Sequence, residues 1–204
     1  TQKKARQDEW EEQTQSIFAS AELGWKSMLY LTLTGRNDWA SQLANSSSTC
    51  FFYPSVGLSA IISEMVKLPS AIDYLKIRGS FSSVGMPYPR NLTSPTFEYD
   101  ETTQTWKPKT HYPIGDLKPE RTNSWELGLD MRLFKDFNLG VSWYLANTFN
   151  QTFDPKISVS SGYTTIYLQT GYVRNQGVEL SLGYGHTWKK DFRWQTNFTL
   201  SHNK

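Results

Sequence analysis

Cysteine is almost absent. Cys50 is the only one in 204 residues, which excludes an intramolecular disulfide framework and leaves a lone thiol that reads as a small loop residue. Long apolar runs are missing too: nothing approaches the roughly 20 residues of a transmembrane helix. With a mean hydropathy of -0.55, this argues against spanning helices. It does not touch a membrane barrel, whose strands alternate and carry a weak hydropathy signal. Charge of one sign is lacking as well, since 21 Lys and Arg face 19 Asp and Glu for a net of +2. That balance makes nucleic acid an unexpected partner. The three histidines, His111, His186 and His202, have no ligand spacing and predict no metal site. No glycine loop could cradle a phosphate, so no cofactor is expected. The chain has no initiator Met and no signal peptide, and its charged start "TQKKARQDEWEEQTQ" reads as the end of a loop over residues 1–14. It reads as a fragment.

What is present is alternation and aromatics. Aromatic residues make up 15% of the chain, with 8 Trp, and their amphipathic rings suit interfaces, sugar-binding surfaces and the girdles of membrane barrels. Apolar residues recur with period 2 in about eight segments of around ten residues. In "LKPERTNSWELGLDMRLF", Trp125, Leu127, Leu129, Met131 and Leu133 share one face while Glu126, Gly128, Asp130 and Arg132 share the other. The same division recurs in Leu29, Leu31 and Leu33, in Val56, Leu58 and Ala60, and in Val178, Leu180 and Leu182. Alternation by itself fits a soluble sandwich as well as a barrel, because either one puts a strand's apolar row against something.

The connections separate the two. Short links near "GWK" (24–26), "KLPSAI" (67–72), "KD" (135–136) and "WKKD" (188–191) alternate with long ones over 37–51, about 85–121 and about 150–174. An up-and-down sheet then carries every short turn at one end and every long loop at the other, as outer-membrane barrels do. Aromatics gather at both ends: Trp25, Phe134, Phe137, Trp188 and Phe192 by the short turns, and Phe51, Phe52, Tyr53, Trp125 and Phe149 by the long loops. Two interfacial belts are expected.

On these residues the chain resembles a known family. "GRNDWASQL" (35–43), "FFYPSVGLSAIISE" (51–64), "YLKIRGSFSSVG" (74–85), "LKPERTNSWELGLDMRLF" (117–134) and "NQGVELSL" (175–182) stand in the order seen in SusC/RagA-type TonB-dependent outer-membrane transporters. The "LKPE" element is shared with many TonB-dependent receptors, whereas the "R-x-DW" and "FYPSVG" context narrows the match. The resemblance implies an all-β fold, an antiparallel up-and-down transmembrane barrel of which this chain holds about eight of 22 strands, with residues 1–204 a partial barrel domain and the plug domain absent. It further implies import of oligosaccharides or peptides under a SusD-like surface lipoprotein. Energy would come from the TonB complex through an N-terminal region not contained here. The expected location is the outer membrane of a Gram-negative, Bacteroidetes-like bacterium, in contact with outer-membrane lipid. A siderophore or cobalamin receptor is the alternative within the fold, and a soluble carbohydrate-binding adhesin the alternative outside it.

Site residues follow from the same division of faces. Lys76, Arg78, Glu126, Asp130, Arg132 and Glu179 are expected to face the lumen. The carboxylates could be a hydrolase pair, but the cations beside them favour a charge ladder across strands or to a plug; no catalytic residue is assigned and no enzyme is expected. Trp39, Tyr88, Tyr99, Trp106 and Tyr112 are polar-flanked aromatics of the long loops, suited to stacking on a sugar or filling a partner interface. Residues 95–109 are a candidate contact for a lid protein. The Asn-x-Ser/Thr sequons at Asn45, Asn91, Asn150 and Asn197 read as chance.

Overall fold

The computed structural model describes residues 11–204 apart from 44–45, 47, 89–96, 109–110, 113–117, 162, 164 and 189–191. Its strands are β1 (Thr14–Trp25), β2 (Leu29–Ala40), β3 (Cys50–Ile61), β4 (Ile72–Met86), β5 (Phe97–Asp100), β6 (Thr105–Pro108), β7 (His111–Tyr112), β8 (Glu120–Leu133), β9 (Phe137–Phe153), β10 (Thr165–Ile166), β11 (Leu168–Trp188) and β12 (Phe192–Asn203). One short helix, α1 (Ile62–Met65), follows β3. Eight strands form a single antiparallel sheet in the order β1-β2-β3-β4-β8-β9-β11-β12, the up-and-down order expected from the loop lengths. The strands are longer than the alternation suggested. β9 has 17 residues and β11 has 21, because pairing continues into segments whose residues no longer alternate.

The β1–β2 and β8–β9 hairpins use left-handed turns. Lys26 and Ser27 have φ of 50° and 55°, and Phe134 and Lys135 have 49° and 64°, the pattern of the turn whose twist matches two antiparallel strands. The Met28 amide donates to the Trp25 carbonyl at 3.0 Å and closes the first.

Register carries each face across the whole sheet. Trp25, Leu29, Ala60, Ile77, Leu129, Val141, Leu180 and Leu200 form one continuous row. The row toward the long loops runs through Leu23, Leu31, Leu58, Gly79, Leu127, Trp143 and Val178. The opposite face carries Ser20, Thr34, Ser55, Ser82 and Ser124 in one row, and Tyr30, Ser59, Arg78, Gly128, Ser142, Glu179 and Ser201 in another. No described layer covers the apolar face; Leu127, Phe198 and Leu200 are all exposed. A sandwich would bury that face, and a barrel in lipid presents it.

The rows also give the inclination of the strands. The row that begins at Trp25, the last residue of β1, reaches β12 at Leu200, about eight residues beyond Phe192, the first residue of that strand. Both residues lie at the short-turn end. A slide of about eight residues over seven strand steps, at roughly 3.4 Å per residue and 4.8 Å per strand, inclines the strands by about 40°. That is the tilt a closed barrel requires. Ten residues above the short turns, the apolar face becomes polar at Asn123, Asn147 and His202. At this tilt the apolar band is about 26 Å tall, matching the roughly 25 Å band of outer-membrane barrels.

One feature of the expected aromatic belts is corrected. Phe52 lies on the apolar face and is exposed. Phe51 and Tyr53 alternate to the polar face, where Phe51 stands opposite Asp38 and Tyr53 opposite Arg36. Adjacent residues in a strand cannot share a face; a run of three aromatics has to split.

Candidate functional site in the lumen and outer loops

The polar face is organised around Arg78. Its register partner is Gly128, and a Cβ there would lie 2.6 Å from the Arg78 Nε. The missing side chain lets the guanidinium lie flat across β8. From there Arg78 donates to Glu126 Oε1 at 3.1 Å, to Asp130 Oδ2 at 3.3 Å, and to Ser142 Oγ on β9 at 2.8 Å. Glu126 and Asp130 stand two residues either side of Gly128, the diagonal positions a long side chain can reach. The three charged side chains are all more than a third exposed, so each pair contributes at most about 1 kcal/mol. The network orients charge more than it stabilises the sheet.

Lys76 stands opposite Asp130, and Glu179 opposite Ser142. Arg78, Asp130 and Glu179 line one hollow of about 420 Å³ with Gly140, Ser142, Ser181 and Thr199. Four of the six charges expected in the lumen, Arg78, Glu126, Asp130 and Glu179, therefore gather on neighbouring strands, with Lys76 at their edge. Arg132 does not join them. It lies toward the short turns, lining a second hollow of about 230 Å³ with Lys135, Asp136 and Arg193. No group of three or more His, Cys, Asp or Glu among the described residues is arranged to hold a metal ion.

At the long-loop end the polar face carries a small core. Arg36 Nε donates to Asp38 Oδ1 at 2.6 Å and its Nη2 to Ser16 Oγ at 3.1 Å. Beside this pair Ala40, Leu43, Phe51 and Tyr88 form the buried apolar cluster of the described residues, with Tyr53 packed against it. Leu43 sits in a single 3-10 turn, Ser41–Leu43, that folds the loop after β2 inward. Sequence periodicity could not find this cluster, because its members come from two loops and two strands.

The five loop aromatics part company in the structure. Trp39 is in β2, not in a loop; it continues the outward row of Leu31 and Leu33, opposite Cys50. It faces away from the lumen, because alternating pairing extends β2 to Ala40, four residues into the segment expected as a loop. Tyr88 is only 4% exposed and belongs to the inner cluster. Tyr99 and Trp106 are register partners in the β5–β6 hairpin, with ring centroids 5.2 Å apart. Trp106 is 68% exposed. On the other side of the hairpin Lys107 Nζ meets Asp100 Oδ2 at 2.5 Å. That contact, with the amides of Thr102 and Thr103, holds the Asp100 carboxyl well below the usual carboxylate range. The Tyr112 side chain, and the sequons at Asn45 and Asn91, lie outside the described residues.

The long loops are also tied to one another. β7 pairs in parallel with β10, joining the loop before β8 to the loop after β9. The Lys118 amide donates to Gln169 Oε1 at 2.6 Å, and the Gln169 Nε2 returns a bond to the Lys118 carbonyl. Asn150 Nδ2 donates to the Pro119 carbonyl at 3.4 Å. Lys118 and Pro119 are thereby the fastened root of the longest loop, held through their backbone groups.

The family described as TonB dependent receptor-like, beta-barrel, matches residues 2–204. TonB-dependent receptor P39 of Formosa agariphila is 28% identical over 197 residues, covering 93% of this chain and 19% of that protein. The chain thus spans about a fifth of that relative's length. Among solved structures, the RagAB peptide importer in its open-open state superposes with a TM-score of 0.79 at 22% identity, over 95% of this chain and 22% of the importer's. The siderophore receptor PirA from Pseudomonas aeruginosa superposes with a TM-score of 0.58 at 13% identity, over 94% of this chain and 34% of the receptor's.

Proposed function

Since the chain belongs to the TonB-dependent receptor-like β-barrel family, whose barrels sit in the outer membrane, we propose that it is a section of the wall of an active importer of SusC/RagA type. The importer takes up oligosaccharides or peptides, is covered by a SusD-like surface lipoprotein and is driven through TonB. The observation that carries this reading is the division of the sheet: an exposed apolar face about 26 Å tall, and a polar face whose charges are held by Arg78. The better superposition on the RagAB peptide importer than on the siderophore receptor supports the branch. The exposed Trp106 and the paired Tyr99 on the β5–β6 hairpin are the outer-loop groups this reading assigns to cargo or to the lipoprotein. The lumenal charges contact whatever fills the barrel. Nothing in this assignment asks the chain to catalyse a reaction.

The test uses the full-length protein in its own cells. Deleting its gene abolishes growth on one oligosaccharide or oligopeptide mixture, and dissipating the proton gradient stops uptake by the intact strain. A tagged full-length protein co-purifies with a surface lipoprotein. Undiminished growth on all such nutrients, with loss of iron-chelate uptake instead, would overturn the reading.

A further inference from the structure

We propose that the outward side of β11 and β12, at the long-loop end, is a binding surface for the phosphorylated headgroup of an outer-leaflet lipid, formed by Arg174, His202 and Lys204. The register sets their place. Gln176 and Lys204 exchange both backbone hydrogen bonds, at 2.9 and 2.8 Å, so they stand directly opposite. Val178 opposes His202, and Asn147 opposes Arg174. Val178 belongs to the apolar row of Trp143 and Leu127, so Arg174, His202 and Lys204 all lie on the lipid-facing side. Arg174 and Lys204 are diagonal neighbours, a spacing of roughly 7–8 Å that two long cationic side chains can close around one phosphate.

Their height fits a headgroup and nothing deeper. His202 is ten residues above the short turn that opens β12, at the level where the apolar band ends, and Lys204 and Arg174 lie above it. On β4, β8 and β9 the level of His202 carries the neutral Ser83, Asn123 and Asn147, and Arg121, two residues higher on β8, donates to the Phe52 carbonyl at 3.4 Å. Ser83 Oγ donates to Asn123 Oδ1 at 2.7 Å, and the Tyr172 hydroxyl to Asn147 Oδ1 at 2.9 Å. The three side chains are exposed, and none makes a side-chain hydrogen bond or ion pair with a described residue. Within the eight-stranded sheet the carboxylates of the outer half, Asp38, Glu120, Glu126 and Glu179, alternate to the opposite face. A strand pair whose described lipid-facing residues place an arginine and a lysine, and no carboxylate, directly above its apolar band complements an anionic headgroup whose acyl chains lie against the leucines below. Arg174 supplies the bidentate donor and Lys204 a mobile point charge.

The inference rests on the membrane orientation of the proposed function, and its test separates the two. The full-length protein is purified in detergent, and its thermal unfolding is followed against added bisphosphorylated lipid A, the same lipid stripped of phosphate, and inorganic phosphate. The wild type is stabilised by the phosphorylated lipid alone. In the Arg174→Glu/Lys204→Glu variant the concentration giving half the effect rises about ten-fold or more, while heat-modifiable migration on a gel is retained. An Arg174→Gln/Lys204→Gln variant gives a smaller shift in the same direction and serves if the reversal impairs folding. Equal response of both variants to the phosphorylated lipid overturns the inference. So does stabilisation by the phosphate-free lipid or by inorganic phosphate at the same concentrations. Loss of cargo uptake by the wild type with lipid binding intact would sink the functional reading alone.

Discussion

Leu129 and Asp130 are neighbours in β8, yet they belong to regions governed by different solvents. Leu129 lies in a row of apolar side chains running through all eight strands of the sheet, with no described protein layer over it. Asp130 lies on a face of serines, glycines and charges, bonded to Arg78. The outward face tolerates almost any apolar residue because lipid has no shape to match, whereas the inward face depends on particular pairs. Gly128 against Arg78 is one of them, and Gly177, where a Cβ would lie 2.5 Å from the Tyr144 hydroxyl oxygen, is another. Depth matters outside; complementarity matters inside.

The strongest challenge to that contrast is a charge on each face at the same depth. Leu129→Arg in the full-length protein is expected to destabilise the barrel by about 2–4 kcal/mol, whereas Thr32→Arg, on the inward face opposite Glu22 and outside the Arg78 network, costs much less. Urea unfolding in lipid vesicles reads both, and equal effects would remove the distinction of faces. Next in size is Gly128→Val. Its branched side chain must displace Arg78 from its three partners, at a cost of about 1–2 kcal/mol, while Gly79→Val on the outward face has a flexible Leu127 as its neighbour and costs less. A double-mutant cycle between Arg78→Ala and Glu126→Gln should then return a coupling of about 0.2–1 kcal/mol, because both side chains are partly solvated. A coupling of several kcal/mol would mean that the lumen is far drier than these side chains indicate.

The smallest effect concerns the β5–β6 hairpin. The folded-state value for Asp100 lies below its unfolded value near 3.9, so its contribution is present above that pH and fades as pH falls below it. Tryptophan fluorescence of Trp106 in the full-length protein, compared with Asp100→Asn, should diverge at neutral pH and converge under strong acid. Convergence between pH 5 and 7 would show that Lys107 is not holding the carboxylate.

Much of this was legible along the chain. Period 2 marks which residues of β8 share a face, and the alternation of short and long connections orders the strands and separates membrane wall from sandwich. The misplaced residues have a common cause. Trp39 reads as a loop residue because Asn37 and Asp38 before it are polar, yet pairing with β1 and β3 keeps the segment in the sheet. Tyr88 reads as exposed because the sequence around it is polar, while its burial is supplied by Phe51 and Leu43 from other segments. Gln169 and Lys118 carry no mark of their partnership, 51 residues apart.

The amino-acid sequence by itself determined the two faces and the up-and-down order, because side chains alternate on an extended strand whatever its surroundings. Register belonged to the tertiary structure alone, since it is set between strands rather than along one. Register decides that Gly128 meets Arg78, that the apolar band climbs at a barrel's tilt, and that Arg174, His202 and Lys204 come together above it.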